Sequence, residues 1–345
     1  MRKGLKVVSL MLVLVLCVGC LFGCNGDKSN KQEANNDDKV YELRLSTVVN
    51  APHPWIEMAN YFSEEVAKKT NDKVKITVYP GGTLGKDETT IDEMRNGTID
   101  FVLGGTQNAA SFVPEYQVFS LAYLFNDADH FKKAIANDSA VFKRYQELYA
   151  EKNLNIRLLA LAGGGCRNAS NNLRPIVTPA DLKGMKMRLP GSPMEAKLWS
   201  SLGALPTSLA WNEIYSAIQT GVVNAFESSI SGYYGSKLYE VAQFHSETQH
   251  LFMLSHLSMS DSTYNKLPEK YRKVIEEVAV DAAKVGTEAG EKADVERLEE
   301  LQKDFGVQVN KVDKEAFIQI VKPLHEELAE EIGASDILKM ILDMK

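Results

Sequence analysis

The stretch Thr178-Pro-Ala-Asp-Leu-Lys-Gly-Met-Lys-Met-Arg-Leu-Pro-Gly191 carries a period-two pattern, with Met185, Met187 and Leu189 alternating with Lys186 and Arg188. Such alternation predicts a short strand with one apolar and one polar face. Turn chemistry flanks it, Asp181-Leu-Lys-Gly before and Pro190-Gly191 after, so Arg188 is delivered at a strand end beside a loop and away from the apolar face. Taken by itself, an arginine so placed fits a solvated residue or half of a surface ion pair as readily as a ligand contact. The decision rests on what surrounds it.

Upstream, Tyr41 to Val48 alternates, Trp55, Met58, Ala59, Phe62 and Val66 recur at helical spacing, and Val74, Ile76 and Val78 alternate again. Ile91 and Met94 fit a helix that stops at Gly97, and Phe101-Val-Leu-Gly-Gly reads as a short buried strand. This is a β-α-β-α-β rhythm. It recurs around the opening stretch: Met185 to Leu189 a strand, Met194 to Leu202 a helix, Ala204 to Leu209 extended, Asn212 to Thr220 a helix, Val222 to Phe226 a strand. The junction Ile91-x2-Met94-x2-Gly97-x2-Asp100 aligns with Tyr215-x2-Ile218-x2-Gly221-x2-Asn224. Two similar α/β domains are expected. Ile156 to Ala162, leading into Gly163-Gly-Gly165, and Leu251 to Met259, broken at Ser255-His256, suit crossovers between them. Pro268 to Phe305 is a helical pattern without an internal proline, too long for one domain, so it spans both or bends near Gly286 and Gly290.

The chain opens with Arg2, Lys3 and Lys6 before an apolar run from Val7 to Val18, the pattern of a secretory signal rather than a membrane span. Leu21-Phe22-Gly23-Cys24 resembles a bacterial lipobox, which makes Cys24 the expected lipid attachment site. Gly19-Cys20 is a poorer candidate, because Cys17 rather than an aliphatic residue stands three positions before Cys20. Residues 1–24 are thus expected as a lipoprotein signal peptide, and 25–40, almost devoid of apolar residues, as a disordered tether. With Cys24 consumed, Cys166 alone of the four cysteines remains in the domain body, which excludes an internal disulfide. A formal net charge of -7 with no basic run argues against nucleic acid as a partner. An anionic ligand has to be caught by local positive charge.

Catalytic readings find little support. Gly163-Gly-Gly-Cys166 has no matched histidine motif that would supply a base, no Gly-Lys-Ser/Thr follows it, and no dinucleotide-binding glycine motif is present. His245, His250 and His256 stand five and six apart, which does not place two metal ligands on one helical face. Neither a cofactor nor a metal site is expected. What remains is a cleft between two α/β domains, the default ligand site of such an architecture.

At this point a family resemblance becomes specific. Ile176-x2-Pro179-Ala-Asp-Leu-Lys-Gly-Met-Lys-Met-Arg-Leu-Pro190, Leu202-Gly-Ala-x-Pro206 and Ala210-Trp-Asn-Glu-x-Tyr-x-Ala-Ile-Gln-Thr-Gly-Val-Val-Asn-Ala-x-Glu227 resemble the DctP-type solute-binding proteins of tripartite ATP-independent periplasmic (TRAP) transporters. Tyr79-Pro-Gly-Gly-x-Leu-Gly85 and the long helical pattern resemble the same family, so that the similarity runs from about Tyr41 to the C-terminus. The resemblance implies an α/β, two-domain periplasmic-binding-protein-like fold with a ligand cleft between the domains and a long helix spanning both. Residues 41–164 with about 254–292 would form domain I, and 165–253 with about 293–345 domain II. It implies an exported, non-enzymatic protein, lipid-anchored to the outer face of the cell membrane. Such a protein captures a small carboxylate by domain closure and hands it to the small and large membrane subunits of the transporter. By the family's pattern Arg188 makes the main ion pair with the ligand, Arg167 assists, and Trp211 lines the cleft. Glu227 matches the acid of an Asp-Gly-x-Glu-Asn-Pro run, while Ser228 stands where an asparagine commonly contacts ligand. His53, Gln107 and Asn171 complete the candidate ligand contacts. The last two, with Asn168 and Asn172, offer amides suited to sugar hydroxyls, which favours a sugar acid such as a uronate slightly over a C4-dicarboxylate. The alternative is a sensor input domain or an exported enzyme on the same scaffold.

Overall fold

The computed structural model describes residues 39–344; the expected signal segment, Cys24 and nearly all of the tether lie outside them. The first lobe begins with β1 (Tyr41–Ser46), α1 (Pro54–Lys69), β2 (Val74–Tyr79), α2 (Asp87–Arg95) and β3 (Phe101–Gly105). Strand β1 pairs in parallel with both β2 and β3. The expected β-α-β-α-β rhythm is therefore present, and the physical reason is visible in β1, whose Leu43 and Leu45 enter the core while Glu42 and Arg44 remain exposed. Helix α1 buries Trp55, Met58, Phe62 and Val66 along one stripe, each such side chain contributing about 1.5–3 kcal/mol.

After α3 (Thr106–Ala109), α4 (Ala128–Ile135) and α5 (Ala140–Glu151), β4 (Ile156–Ala162) completes the passage through this lobe. The chain crosses at Gly163–Gly165 into a second lobe of β5 (Cys166–Asn171), β6 (Lys186–Leu189), α6 (Pro193–Ser201), β7 (Leu205–Ser208), α7 (Ile214–Gln219), β8 (Ala225–Ser229), α8 (Ile230–Gly235) and β9 (Phe244–Phe252). It returns as β10 (Ser255–Ser260), which lies antiparallel between β3 and β4. One sheet has the order β2-β1-β3-β10-β4 and the other β11-β9-β5-β8-β6-β7, where β11 is Gln308–Lys311. The crossover between β9 and β10 falls at Met253-Leu254, earlier than the expected break at Ser255-His256, which instead belong to β10.

After α9 (Asp261–Lys266) comes α10 (Glu269–Asp304), a continuous helix of 36 residues and so about 54 Å long. Its first half packs Tyr271, Ile275, Val278 and Ala282 into the core of the first lobe with Met58 and Phe62. Its far end places Leu301 in the second lobe's core with Ile214 and Phe226. The helix spans both lobes without ending at either glycine. Gly290 serves close approach: a Cβ there would stand 2.5 Å from the carbonyl carbon of Gly164, in the crossover.

Two features depart from the sequence reading. Strand β5, Cys-Arg-Asn-Ala-Ser-Asn, is not among the strands expected from the sequence, yet it is a central strand paired antiparallel with β8 and β9. The end of the chain, allotted to domain II, leans on the first lobe through α12 (His325–Glu331) and α13 (Ser335–Leu342). His325 Nε2 lies 2.9 Å from the Ala122 carbonyl, His130 Nε2 meets the Ile341 carbonyl at 2.8 Å, and Arg144 of α5 pairs with Asp336. The apolar face of α13, with Ile337, Leu338 and Ile341, supplies the driving force. Helix α11 (Lys314–Val321) precedes this pair. Among the described residues no helix is long and apolar enough to cross a membrane.

Candidate functional site

A cavity opens where the two lobes face each other. The first lobe supplies Val48, Val49, His53 and Trp55 from the end of β1 and the start of α1, Asp87 from α2, and Gln107 and Asn108 from α3. The second supplies Arg167, Arg188, Pro190, Trp211 and Ser228, and Met253 comes from the crossover.

Arg188 owes its place to β6, whose Met187 and Leu189 are fixed in the core on the opposite face. The expected alternation is present, but its polar face is divided: Lys186 is exposed, whereas Arg188 is only 2 % exposed. Its Nε donates to the Leu209 carbonyl at 2.9 Å, and its guanidinium carbon stands 5.6 Å from the centre of the Trp211 ring. It pairs with no carboxylate among the described residues. Burial lowers its pKa to about 10, opposed by Glu227 and reinforced by Arg167. At neutral pH it is a buried cation without a matched anion, a costly arrangement unless an anion arrives.

Arg167 differs. Its Nε and Nη2 form a bidentate pair with the Glu227 carboxylate, and Nη2 also reaches the Glu227 carbonyl at 3.2 Å. Burial raises the Glu227 carboxyl, but Arg167 and His250 outweigh it and hold that group well below the ordinary carboxylate range. His250 Nε2 lies 3.4 Å from Glu227. Its other nitrogen, Nδ1, lies 2.9 Å from the Thr248 hydroxyl, which accepts from the Ala169 N–H. Glu227 is wholly buried and does not line the cavity. The expected ligand contact at Glu227 is thus corrected to a partner of Arg167 from behind the cavity wall.

Asn171 is the second correction. Its Oδ1 accepts from the backbone of Leu173 and Arg174 at 2.8 and 2.9 Å, which caps the turn after β5, and it is not a cavity residue. His53 and Gln107 do line the cavity. His53 caps α1 through Nδ1, which accepts from Trp55 N–H at 3.1 Å, and burial lowers its pKa to about 3. The ring is neutral, so Nε2 carries the proton and is free to donate. Trp211 is held by Nε1 on Ser236 Oγ at 3.1 Å, with its ring against Gly232, where a Cβ would stand 2.9 Å away. Ser228 reaches the cavity while its hydroxyl bonds the Ser229 carbonyl at 3.1 Å.

The sequence reading missed Trp55, Asp87 and Asn108 as cavity residues. By spacing Trp55 is one more apolar residue of the α1 stripe, yet its buried Nε1 has no partner among the described residues. Asp87 and Asn108 sit in ordinary polar helix starts, and only the fold brings them opposite Arg188. The three histidines do not converge: His245 bonds Ser170, His250 bonds Thr248 and His256 bonds Ser258. Among the described residues no cluster of metal-ligating side chains occurs. Burial and Asp294 push the half-buried Cys166 thiol up to about 12, the reverse of an activated nucleophile.

Residues 45–332 match the model of the bacterial extracellular solute-binding protein family 7, DctP. The chain belongs to the DctP family. Over 301 residues it is 31% identical to a solute-binding protein of Sulfitobacter sp., covering 87% of this chain and 90% of the relative. Among solved structures, a TRAP periplasmic solute-binding protein from Chromohalobacter salexigens with bound D-glucuronate superposes with a TM-score of 0.82 at 29% identity, over 88% of this chain and 100% of that one. Another, from Sulfurospirillum deleyianum with bound succinate, gives 0.83 at 25% identity, over 89% and 100%. Family membership places the protein outside the cytoplasm as a binding component.

Proposed function

We propose that this DctP protein captures a small organic acid in the cavity between its lobes and delivers it, chemically unchanged, to the small and large membrane subunits of a TRAP transporter. The observation that carries this reading is Arg188, a buried cation that faces the cavity and lacks a carboxylate of its own. A guanidinium offers parallel donors that match both oxygens of a carboxylate, so it orients the ligand as well as holding it. Because both lobes line the cavity, a bound acid bridges them and favours the closed arrangement, the condition for a population shift. The lobes correspond to residues 41–164 with about 254–292 and to 165–253 with most of the remainder.

A sugar acid such as a uronate is favoured over a C4-dicarboxylate. Gln107, Asn108, Ser228, the Trp55 indole N–H and the free His53 donor suit hydroxyl groups, and relatives carrying uronates share the fold. Arg188→Lys keeps the charge but loses the bidentate geometry, and removal of a partner from such a pair costs about 2–5 kcal/mol. Titration calorimetry against an organic-acid panel is expected to show most affinity lost; near-wild-type affinity in the variant overturns the assignment. Lipid attachment at Cys24 then keeps the protein at the outer face of the membrane. Cys24→Ser is expected to release it into the soluble extracytoplasmic fraction, and full membrane retention of that variant rules the anchor out.

A further inference from the structure

The cavity contains one carboxylate of its own. Asp87 is the first residue of α2 and is 5 % exposed. Its Oδ2 accepts from Asn108 Nδ2 at 2.6 Å. Asn108 Oδ1 in turn accepts the Gly191 N–H of the second lobe at 3.3 Å, which fixes the amide's orientation and with it the side of the carboxylate it occupies. The other oxygen, Oδ1, has no protein partner among the described residues. It sits against Gly104, where a Cβ would stand only 2.7 Å away, so the backbone of β3 is kept bare to admit it. A buried carboxylate held by one oxygen, with the other left unbonded beside a ligand cavity, is a polar group awaiting a donor.

The charges facing this group can be followed element by element. The start of α1 contributes His53, neutral because burial lowers its pKa to about 3. On α2 itself Glu88 adds negative charge, and α3 adds only the uncharged Gln107 and Asn108. From β10 comes His256, whose Nε2 stands beside Gly104 on the side that Oδ1 occupies, and burial lowers its pKa to about 4, so it too is neutral. From β5 comes Arg167, already matched by Glu227. From β6 comes Arg188. One unmatched cation therefore stands across the cavity from one carboxylate. Burial first, then Glu88, push the Asp87 carboxyl up to about 7, against the pull of Asn108 and Arg188.

We propose that Asp87 is the specificity-determining residue of the cavity: it accepts a hydrogen bond from a hydroxyl of a monocarboxylate held on Arg188, and it excludes acids that carry a second carboxylate at that end. The inference rests on the reading of the cavity as a carboxylate site. A hydroxyl supplies the donor that Oδ1 lacks, whereas a second carboxylate brings like charges together in a closing, water-poor space. Selectivity then arises from the unfavourable contact as much as from the favourable one.

The test is titration calorimetry with D-glucuronate and succinate on the wild type and on Asp87→Asn, an isosteric neutral replacement, with Asp87→Ser as a second neutral variant should the first fail to fold. At about pH 8 the wild type is expected to prefer glucuronate by about a hundredfold or more. The neutral variants are expected to lose about tenfold on glucuronate and to gain about tenfold on succinate, because a two-sided change in the ratio is what a charge contact produces. Lowering the pH to about 6 protonates Asp87 and is expected to strengthen succinate binding to the wild type but not to Asp87→Asn. Equal weakening of both ligands in the neutral variants, or a wild type that binds succinate as tightly as glucuronate, overturns the role of Asp87. The cavity reading survives either result, provided that Arg188→Lys abolishes binding. A wild type that binds neither these acids nor any other carboxylate overturns both.

Discussion

Arg167 and Arg188 enter the same cavity from the same sheet, and both are almost wholly buried, 4 % and 2 % exposed. Strand β8 lies between their strands and settles the difference, since its Glu227 turns toward Arg167 and leaves Arg188 with a carbonyl and an indole ring. Accordingly the attraction of Glu227 overcomes burial and raises the pKa of Arg167, while burial lowers that of Arg188. Burial alone, then, does not distinguish a ligand contact from a structural charge. The distinction lies in whether the protein supplies the counter-ion. Arg167 and Glu227 form an internally paired wall with His250 beside it, and Arg188 is the cation for which no carboxylate is supplied among the described residues.

Disturbing each arginine separately distinguishes the two roles. Glu227→Gln strips Arg167 of its anion and leaves a buried cation close to a second one. Breaking a buried pair in this way costs about 3–5 kcal/mol, and chemical denaturation of the ligand-free protein is expected to show a loss of that size. Arg188→Met should behave oppositely. It removes an uncompensated charge at the expense of one hydrogen bond to Leu209, so the ligand-free stability is expected to change by no more than about 1 kcal/mol, while ligand-induced thermal stabilisation disappears. If the two variants lose equal stability, Arg188 is as structural as Arg167, and the proposed division between them is wrong.

Much of this architecture was legible in the chain. Period-two and helical spacings located β1, α1, β2, β6 and the continuous α10, because those elements bury one apolar face and the pattern records it. Strand β5 left no such record. In Cys-Arg-Asn-Ala-Ser-Asn the buried residues apart from Ala169 are polar, and most are satisfied by partners distant in sequence: Arg167 by Glu227, Ser170 by His245, Asn168 by the backbone of Gln249. Patterning detects the hydrophobic effect and is blind to cores built from hydrogen bonds. The same limit explains the site. Arg188 could be found from the strand that carries it and from its motif. Glu227 and Asn171 were misplaced because strand registry and turn capping, respectively, decide where those polar groups point. Asp87 and Asn108 became visible only once α2 and α3 were set opposite β6.

The smallest expected effect concerns Trp211, which touches Arg188 without neutralising it. The ring lies at 5.6 Å from the guanidinium carbon and is steadied by its hydrogen bond to Ser236. Trp211→Phe keeps an aromatic face but drops the indole N–H and part of the quadrupole, leaving Arg188 free to adopt other rotamers. A contact of this kind is worth about 0.5–1 kcal/mol where exposed and about 2 kcal/mol when desolvated, so ligand affinity is expected to fall by between about twofold and thirtyfold in titration calorimetry. The loss should appear mainly as a faster dissociation rate, because the electrostatic encounter with Arg188 is unchanged and only its orientation is relaxed. An unchanged affinity would mean that the Leu209 carbonyl alone aims the guanidinium. In that case the second lobe would present its unmatched cation through the backbone of the segment after β7, and Trp211 would serve only to close the cavity's edge.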